Sequence, residues 1–296
     1  MAALKSRDSH AYLNALSSDY QTSGASSKIS SALLANLRNR RDPAEWARSI
    51  GITPGPDQLR FLKTQSKRII VKCCRQWGKS FCAAIRAWWR ATTRPGSLIL
   101  IIAAAERQST ETFKKGREME AYMDTPPEKY RETVTQVEFA NGSRIVALPS
   151  THTKIRGFSA PDEIILDEAA WVPDELILAV SPMLATNDGV LTLMSSPFGE
   201  RGLFYEWFTG DDPGWERVEV NGFQCPRIKD EWLLREKGII PDLWWRQEWM
   251  VEFVSTDEQL FTPAMIDALE SDEPHLYEDL GEDEDGEALW PIEVTG

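Results

Sequence analysis

Three short stretches carry residue types suited to phosphate chemistry. The first is Ile69 to Ser80, IIVKCCRQWGKS, an apolar strand, a turn ending in Gly78-Lys79-Ser80 and then the helical run FCAAIRAWWRA. Backbone N–H groups at such a strand-to-helix turn converge on an anion, and the helix dipole adds partial positive charge. The pattern assigns Lys79 to the β- and γ-phosphates of ATP and the Ser80 hydroxyl to Mg²⁺. Cys74, Arg75, Gln76, Trp77 and Gly78 form the cradle around the phosphates. The pattern G-x-x-x-x-G-K-[ST] opens with glycine, and here that position is Cys73. The second stretch is Ile164-Ile165-Leu166-Asp167-Glu168, an apolar strand ending in two carboxylates. At the carboxyl edge of an open α/β sheet, where ligands bind, Asp167 holds Mg²⁺ through water. Glu168 orients or deprotonates the water that attacks the γ-phosphate. The third, Leu191 to Pro197, is a strand ending in Ser195-Ser196, whose small hydroxyls can sense a γ-phosphate. Each alone has a plainer reading: an ordinary turn, a helix cap, a strand end. Their order along one chain favours the shared one.

The elements that position these residues read as an α/β fold with a mostly parallel central sheet, flanking helices and one antiparallel hairpin. Ile29 to Arg41 reads as an amphipathic helix, and Asp42-Pro43 starts a second that runs through Ser49. Thr53 to Pro56 is a turn. Ser97 to Ala103 is an apolar run too short for most helices, which predicts a buried strand. Glu106 to Tyr122 reads as a helix, and Gln136 to Leu148 alternates around Asn141-Gly142 as a hairpin. Glu163 to Leu166 and Val190 to Met194 complete the predicted strands. Strands alternating with helices imply the parallel sheet.

The chain has 296 residues, enough for one large α/β domain or two smaller ones. No run of about 18 apolar residues suggests a membrane span, and the Ser-rich start lacks a signal-peptide core. Four cysteines follow neither zinc spacing nor a disulfide framework, which suits a reducing cytosol. The adjacent Cys73 and Cys74 read as small packing residues or as redox-sensitive thiols. The net charge of −13 is segregated: from Asp257 onward there are fourteen acidic residues and no Lys or Arg, and the rest of the chain sums to +1. Residues 1–75 carry thirteen Lys/Arg against five Asp/Glu, so the body can face a polyanion.

With these residues in place, the chain resembles the large terminase subunit of tailed bacteriophages, the ATP-driven motor that packages DNA into proheads. The resemblance rests on Cys74-Arg75-Gln76-Trp77-Gly78-Lys79-Ser80, on KIRGFSAPDEIILDEAAW at 154–171 and on Ser195-Ser196-Pro197 followed by Gly199. Gln247-Glu248-Trp249, Glu252-Phe253 and Leu260-Phe261 extend it to the close of the ATPase half. It implies a RecA-like, ASCE-type P-loop NTPase over residues 55–262, a polar and helical extension at 1–54, and an acidic tail or linker at 263–296. It further implies that Gln58 contacts adenine, that Arg75 senses phosphate and that Ser195 couples hydrolysis to movement. Arg156 matches the position from which such motors supply an arginine to a neighbouring subunit's nucleotide. The implied partners are double-stranded DNA, further copies in a ring, a portal protein and a small terminase subunit. The implied location is the host cytoplasm and, transiently, the prohead portal.

Family members usually continue into a ribonuclease-H-like nuclease. Here thirty-five residues follow Phe261, so nuclease activity is not expected of this chain. A two-lobed helicase needs a second lobe of about 150 residues, for which too little chain follows Ser196. A nucleotide-binding scaffold without turnover would have little use for Glu168. DNA contact is expected through phosphates and independent of sequence, with Lys154, Lys114, Lys115 and Arg117 as candidates, the last three equally well explained by solubility. The paired tryptophans Trp88-Trp89 and Trp244-Trp245 read as packing.

Overall fold

The computed structural model describes residues 37–150, 155 and 157–254. The described part of the predicted 29–41 helix, residues 37–41, is helical. Asp42 accepts a hydrogen bond from the Ala44 N–H at 2.8 Å and caps α1 (Pro43–Ser49), whose first residue is the proline suited to that place. Then come α2 (Pro56–Lys63), β1 (Arg68–Cys73), α3 (Lys79–Thr93), β2 (Leu98–Ala103) and α4 (Glu106–Met119). Strands β3 (Lys129–Glu132), β4 (Gln136–Phe139), β5 (Arg144–Pro149) and β6 (Glu163–Asp167) follow. The described chain closes with α5 (Asp174–Val180), β7 (Val190–Ser195), α6 (Gly202–Thr209), β8 (Trp215–Val220), α7 (Asp230–Lys237) and α8 (Asp242–Glu248).

The strands form one sheet in the order β3-β4-β5-β2-β6-β7-β1-β8. From β5 to β8 every neighbouring pair is parallel, and β3-β4-β5 is an antiparallel meander at one edge. The predicted hairpin thus gains a third strand and sits at the margin. Parallel strands covered on both faces read as continuous apolar runs, and all six residues of β2 and of β7 are buried. Successive side chains alternate faces. Ile69, Val71, Ile99, Ile101 and Ile165 join a core with α1, α2 and α3, while Ile70, Leu100, Ile102, Leu166 and Leu193 join another with α5 and Phe204. Register then aligns the chemistry: Asp167 lies beside Ala103 and Met194, and Ser195 beside Lys72.

Helix α3 is held against α4 by a close approach. A Cβ on Gly116 would come within 2.2 Å of the Trp88 ring. Trp88 is fully buried, its Nε1 donates to Glu120 Oε1 at 2.8 Å, and its ring lies 5.3 Å from that of Phe113, so it cannot move aside. Gly116→Ala therefore belongs at the upper end of the about 1–3 kcal/mol that overpacking costs. That exceeds the roughly 1 kcal/mol alanine gains over glycine in a helix. We expect a lower urea midpoint with an unchanged m-value. A midpoint at or above wild type would show that Trp88 yields.

Candidate nucleotide-binding site

The turn between β1 and α3 is built from strained backbone. Gln76 has φ 64° and Gly78 φ 97°, both in the left-handed region. At Gly78 the left-handed φ favours glycine, and a Cβ there would displace the ends of the Arg227 and Gln58 side chains, 2.4 Å from Nη2 and 3.1 Å from Nε2. Trp77 is buried and meets Phe61 edge-on at 6.3 Å. Cys73 and Cys74 are both buried, and burial pushes the Cys73 thiol up to about 12. At neutral pH Cys73 is an uncharged packing group rather than a reactive thiolate.

Lys79 opens α3 and its Nζ lies 2.8 Å from Glu168 Oε1. Burial disfavours the lysine charge, but the pKa is raised all the same, with the neighbouring carboxylates Glu168 and Asp167 favouring the cation. Lys79 is a permanent cation. Asp167 ends β6 at 2 % exposure, and its Oδ2 accepts from Thr112 Oγ1 on α4 at 2.8 Å. Its Oδ1 accepts from the Glu168 N–H at 3.1 Å. Glu168 has φ 56°, a conformation seldom adopted by residues other than glycine and concentrated at functional sites. Ser195, at the end of β7, donates to Glu168 Oε2 at 3.4 Å. Five residues named from the sequence, Lys79, Ser80, Asp167, Glu168 and Ser195, therefore meet at one sheet edge.

The other predicted residues are placed differently. Arg75 turns to α8, donating through Nε to Glu248 Oε2 at 2.6 Å, and that hydrogen bond raises its pKa. Gln58 already uses both ends of its amide: Nε2 donates to the Trp77 carbonyl and Oε1 accepts from the Gly55 N–H, each at 2.9 Å. It holds the loop, yet it also lines a cavity of about 240 Å³ with Trp77, Pro226 and Arg227. Lys114 faces Glu118 one turn along α4 at 3.9 Å, and Arg117 pairs with Glu132 of β3 at 2.5 Å. Lys154, Arg156 and the 263–296 tail lie outside the described residues. Trp88, Trp89 and Trp245 are buried and Trp244 is exposed.

Five contributing residues carry no signal in the sequence. Arg227 donates from Nη2 to the Gln76 carbonyl at 2.7 Å and steadies the loop from beyond β8. Thr112 anchors Asp167. Arg107, Gln108 and Glu111 of α4, with Ser80, Asp167 and Glu168, line a cavity of about 360 Å³. No motif marks these positions: the packing of α4 brings Thr112, Arg107, Gln108 and Glu111 to the site, and the loop after β8 brings Arg227.

The donor set suits a magnesium ion. The Ser80 hydroxyl and the Asp167 carboxylate are hard oxygen donors on the same cavity, and Mg²⁺ takes few protein ligands beside water and phosphate oxygens. Thr112→Val keeps the shape of the anchor and removes its hydroxyl. Such supporting contacts are worth about 10–100-fold in metal affinity or activity. We expect a right-shifted Mg²⁺ titration of ATP turnover. A lower Tm with an unmoved Mg²⁺ midpoint would make Thr112 merely structural.

Residues 72–288 match the sequence model of the family described as "Terminase large subunit, T4likevirus-type, N-terminal". The large terminase subunit of Thermus phage G20c is 27 % identical over 266 residues, covering 76 % of this chain and 54 % of that protein. The chain thus spans about half the length of the curated relatives it matches. The ATPase domain of the Thermus phage P74-26 large terminase superposes with TM-score 0.64 at 25 % identity, covering 72 % of this chain and 99 % of that one. A large terminase from a thermophilic bacteriophage, solved in complex with ADP, shares the fold at TM-score 0.54 and 10 % identity, over 74 % of this chain and 53 % of its own. The chain belongs to the terminase large subunit family.

Proposed function

We propose that this chain is an ATPase whose hydrolysis drives double-stranded DNA into a phage prohead, as the motor half of a terminase. The observation that carries the reading is the meeting of Lys79, Ser80, Asp167, Glu168 and Ser195 at the carboxyl edge of a parallel sheet. ATP phosphates lie against the N–H groups opening α3, with Lys79 on the β- and γ-phosphates. Mg²⁺ at Ser80 and Asp167 would offset charge on the phosphate oxygens. Because Lys79 and Glu168 are paired at 2.8 Å, an arriving γ-phosphate competes for the lysine and releases the carboxylate to orient water. The Ser195–Glu168 hydrogen bond ties that carboxylate to β7. Loss of the γ-phosphate can then be felt along this strand, which is the coupling role.

Gln58 supports the base side of the site by fixing the Trp77 carbonyl, and Arg75 joins phosphate sensing by exchanging Glu248 for the nucleotide. DNA is engaged through its phosphates. A ring of copies, a portal protein and a small terminase subunit complete the assembly, in the host cytoplasm and at the prohead. The test is ATPase activity of the purified chain with and without duplex DNA of unrelated sequences. Stimulation by all of them supports the reading. Turnover indifferent to DNA would overturn the motor assignment, and no turnover with bound ATP would leave a nucleotide-binding scaffold.

A further inference from the structure

At the sheet edge opposite Lys79, a cavity of about 110 Å³ is lined in part by Arg86, Arg90, Arg94, Lys67, Gln65 and Ser66. Arg86 and Arg90 stand one turn apart on the same face of α3, and Arg94 follows as its C-cap. Arg86 and Arg90 are 2 % and 6 % exposed, a costly place for a charge unless it is paired. Both donate through Nε to the same carboxylate, Glu163 at the start of β6, at 2.7 and 2.6 Å. Burial alone would raise the Glu163 pKa; Arg86 and Arg90 outweigh it and hold it at about 2.

The pairing is incomplete. Among the described residues no hydrogen bond engages the terminal nitrogens of Arg86 or Arg90, yet no buried side-chain nitrogen lacks a partner. These nitrogens therefore reach the accessible space of the cavity. Arg94 makes no ion pair among the described residues and lies over the Trp89 ring at 5.0 Å, while Lys67 is paired with Asp188 at 3.2 Å. Asp162 accepts from the Leu98 N–H at 2.9 Å. Four cations line the cavity, the three nearby carboxylates stand outside its lining, and one positive charge is left over. Guanidinium forks match phosphate oxygens two at a time. The space exceeds the about 30 Å³ that one water occupies in the liquid.

We propose that this cavity is a second anion site that binds a phosphate group, either free or on a nucleic-acid backbone. It is separate from the nucleotide site, but the same elements carry both. Helix α3 runs from Lys79 to the arginines, and β6 runs from Glu163 to Asp167.

The test uses the whole chain carrying Lys79→Ala, so that the first phosphate cradle is silent, and titrates inorganic phosphate against chloride at equal ionic strength. A saturable rise in Tm is expected, because a ligand that binds only the folded state stabilises it by mass action. Adding Arg94→Glu at this exposed position should weaken the apparent affinity by at least about tenfold, the scale of one charged hydrogen bond. Arg94→Gln serves the same purpose if the acidic change lowers stability by itself. Anisotropy with a short duplex separates the two sources. Duplex binding that phosphate displaces and Arg94→Glu weakens assigns the site to a nucleic-acid backbone. Duplex binding left intact while the phosphate response is lost assigns it to free phosphate. No saturable rise, or an equal rise with and without Arg94→Glu and Arg94→Gln, overturns the site.

Discussion

Glu168→Gln should bind ATP at least as tightly as the unaltered chain and hydrolyse it about 10²–10⁴-fold more slowly, the usual contribution of a positioned general base. The slow turnover follows from charge. A carboxamide fills the same space beside Ser195, but it neither draws a proton from water nor holds a water as strongly as a carboxylate. The retained binding follows from the 2.8 Å pair with Lys79. In the unaltered chain an incoming γ-phosphate must win Lys79 from Glu168, and in the amide variant that rival charge is gone. Lys79→Ala has the opposite profile, because the cradle loses the cation paired with Glu168 beside Asp167 and nucleotide binding should fall with turnover. Titration with a fluorescent ATP analogue and single-turnover hydrolysis separate the two steps. A Glu168→Gln protein that keeps most of its rate would sink the assignment. Weaker ATP binding in that variant would show that the ion pair organises Lys79 rather than competes for it.

The central strands were legible because burial on both faces leaves no choice but a continuous apolar run. Ile69-Ile70-Val71 and the six residues of β2 announce themselves in this way. The outer strands lack that constraint. β3, KYRE, has three exposed residues, and β8, WERVEV, carries charged residues on an outer strand, so neither stands out from a loop by composition. Both are strands because a neighbour offers its backbone: β8 pairs with β1 along its whole length, and β3 with β4. The β1–β8 pairing joins residues far apart in the chain and leaves no local trace, while β3 turns back on its neighbour β4 with side chains too polar to announce a strand.

The site divides along the same line. Asp167 and Glu168 stand at the end of β6, Lys79 and Ser80 open α3 after a short turn from β1, and both arrangements are local patterns. Gln58 and Arg75 were found by resemblance, and their partners, the Trp77 carbonyl and Glu248, depend on loops and on a helix 173 residues away. Thr112 and Arg227 had no signal at all. One is a threonine in an amphipathic helix and the other an arginine in a loop, ordinary until packing aims them at Asp167 and Gln76.

Arg156→Ala should lower ATP turnover by about 10³–10⁵-fold, the worth of an arginine that stabilises charge on a transferring phosphoryl group, and activity should return in part on mixing with Glu168→Gln. Arg156 stands in Lys154-Ile155-Arg156-Gly157, twelve residues before Glu168, and its placement rests on the sequence alone. If it serves a neighbouring subunit, each variant keeps what the other lacks. Arg156→Ala has a complete cradle and catalytic carboxylate but offers no guanidinium across the interface. Glu168→Gln offers the guanidinium but cannot activate water. In a mixed ring, an Arg156→Ala site next to a Glu168→Gln subunit regains every group it needs, so turnover rises from two inactive proteins. The reverse junction has neither group and stays silent, which caps the recovery below the level of the unaltered ring. An arginine acting within its own subunit gives no such rescue, because no single chain in the mixture is whole. Absence of recovery, in rings shown by mass to contain both variants, would place Arg156 in its own site or on the DNA. Normal ATPase with weakened duplex binding in the Arg156→Ala protein would decide for DNA.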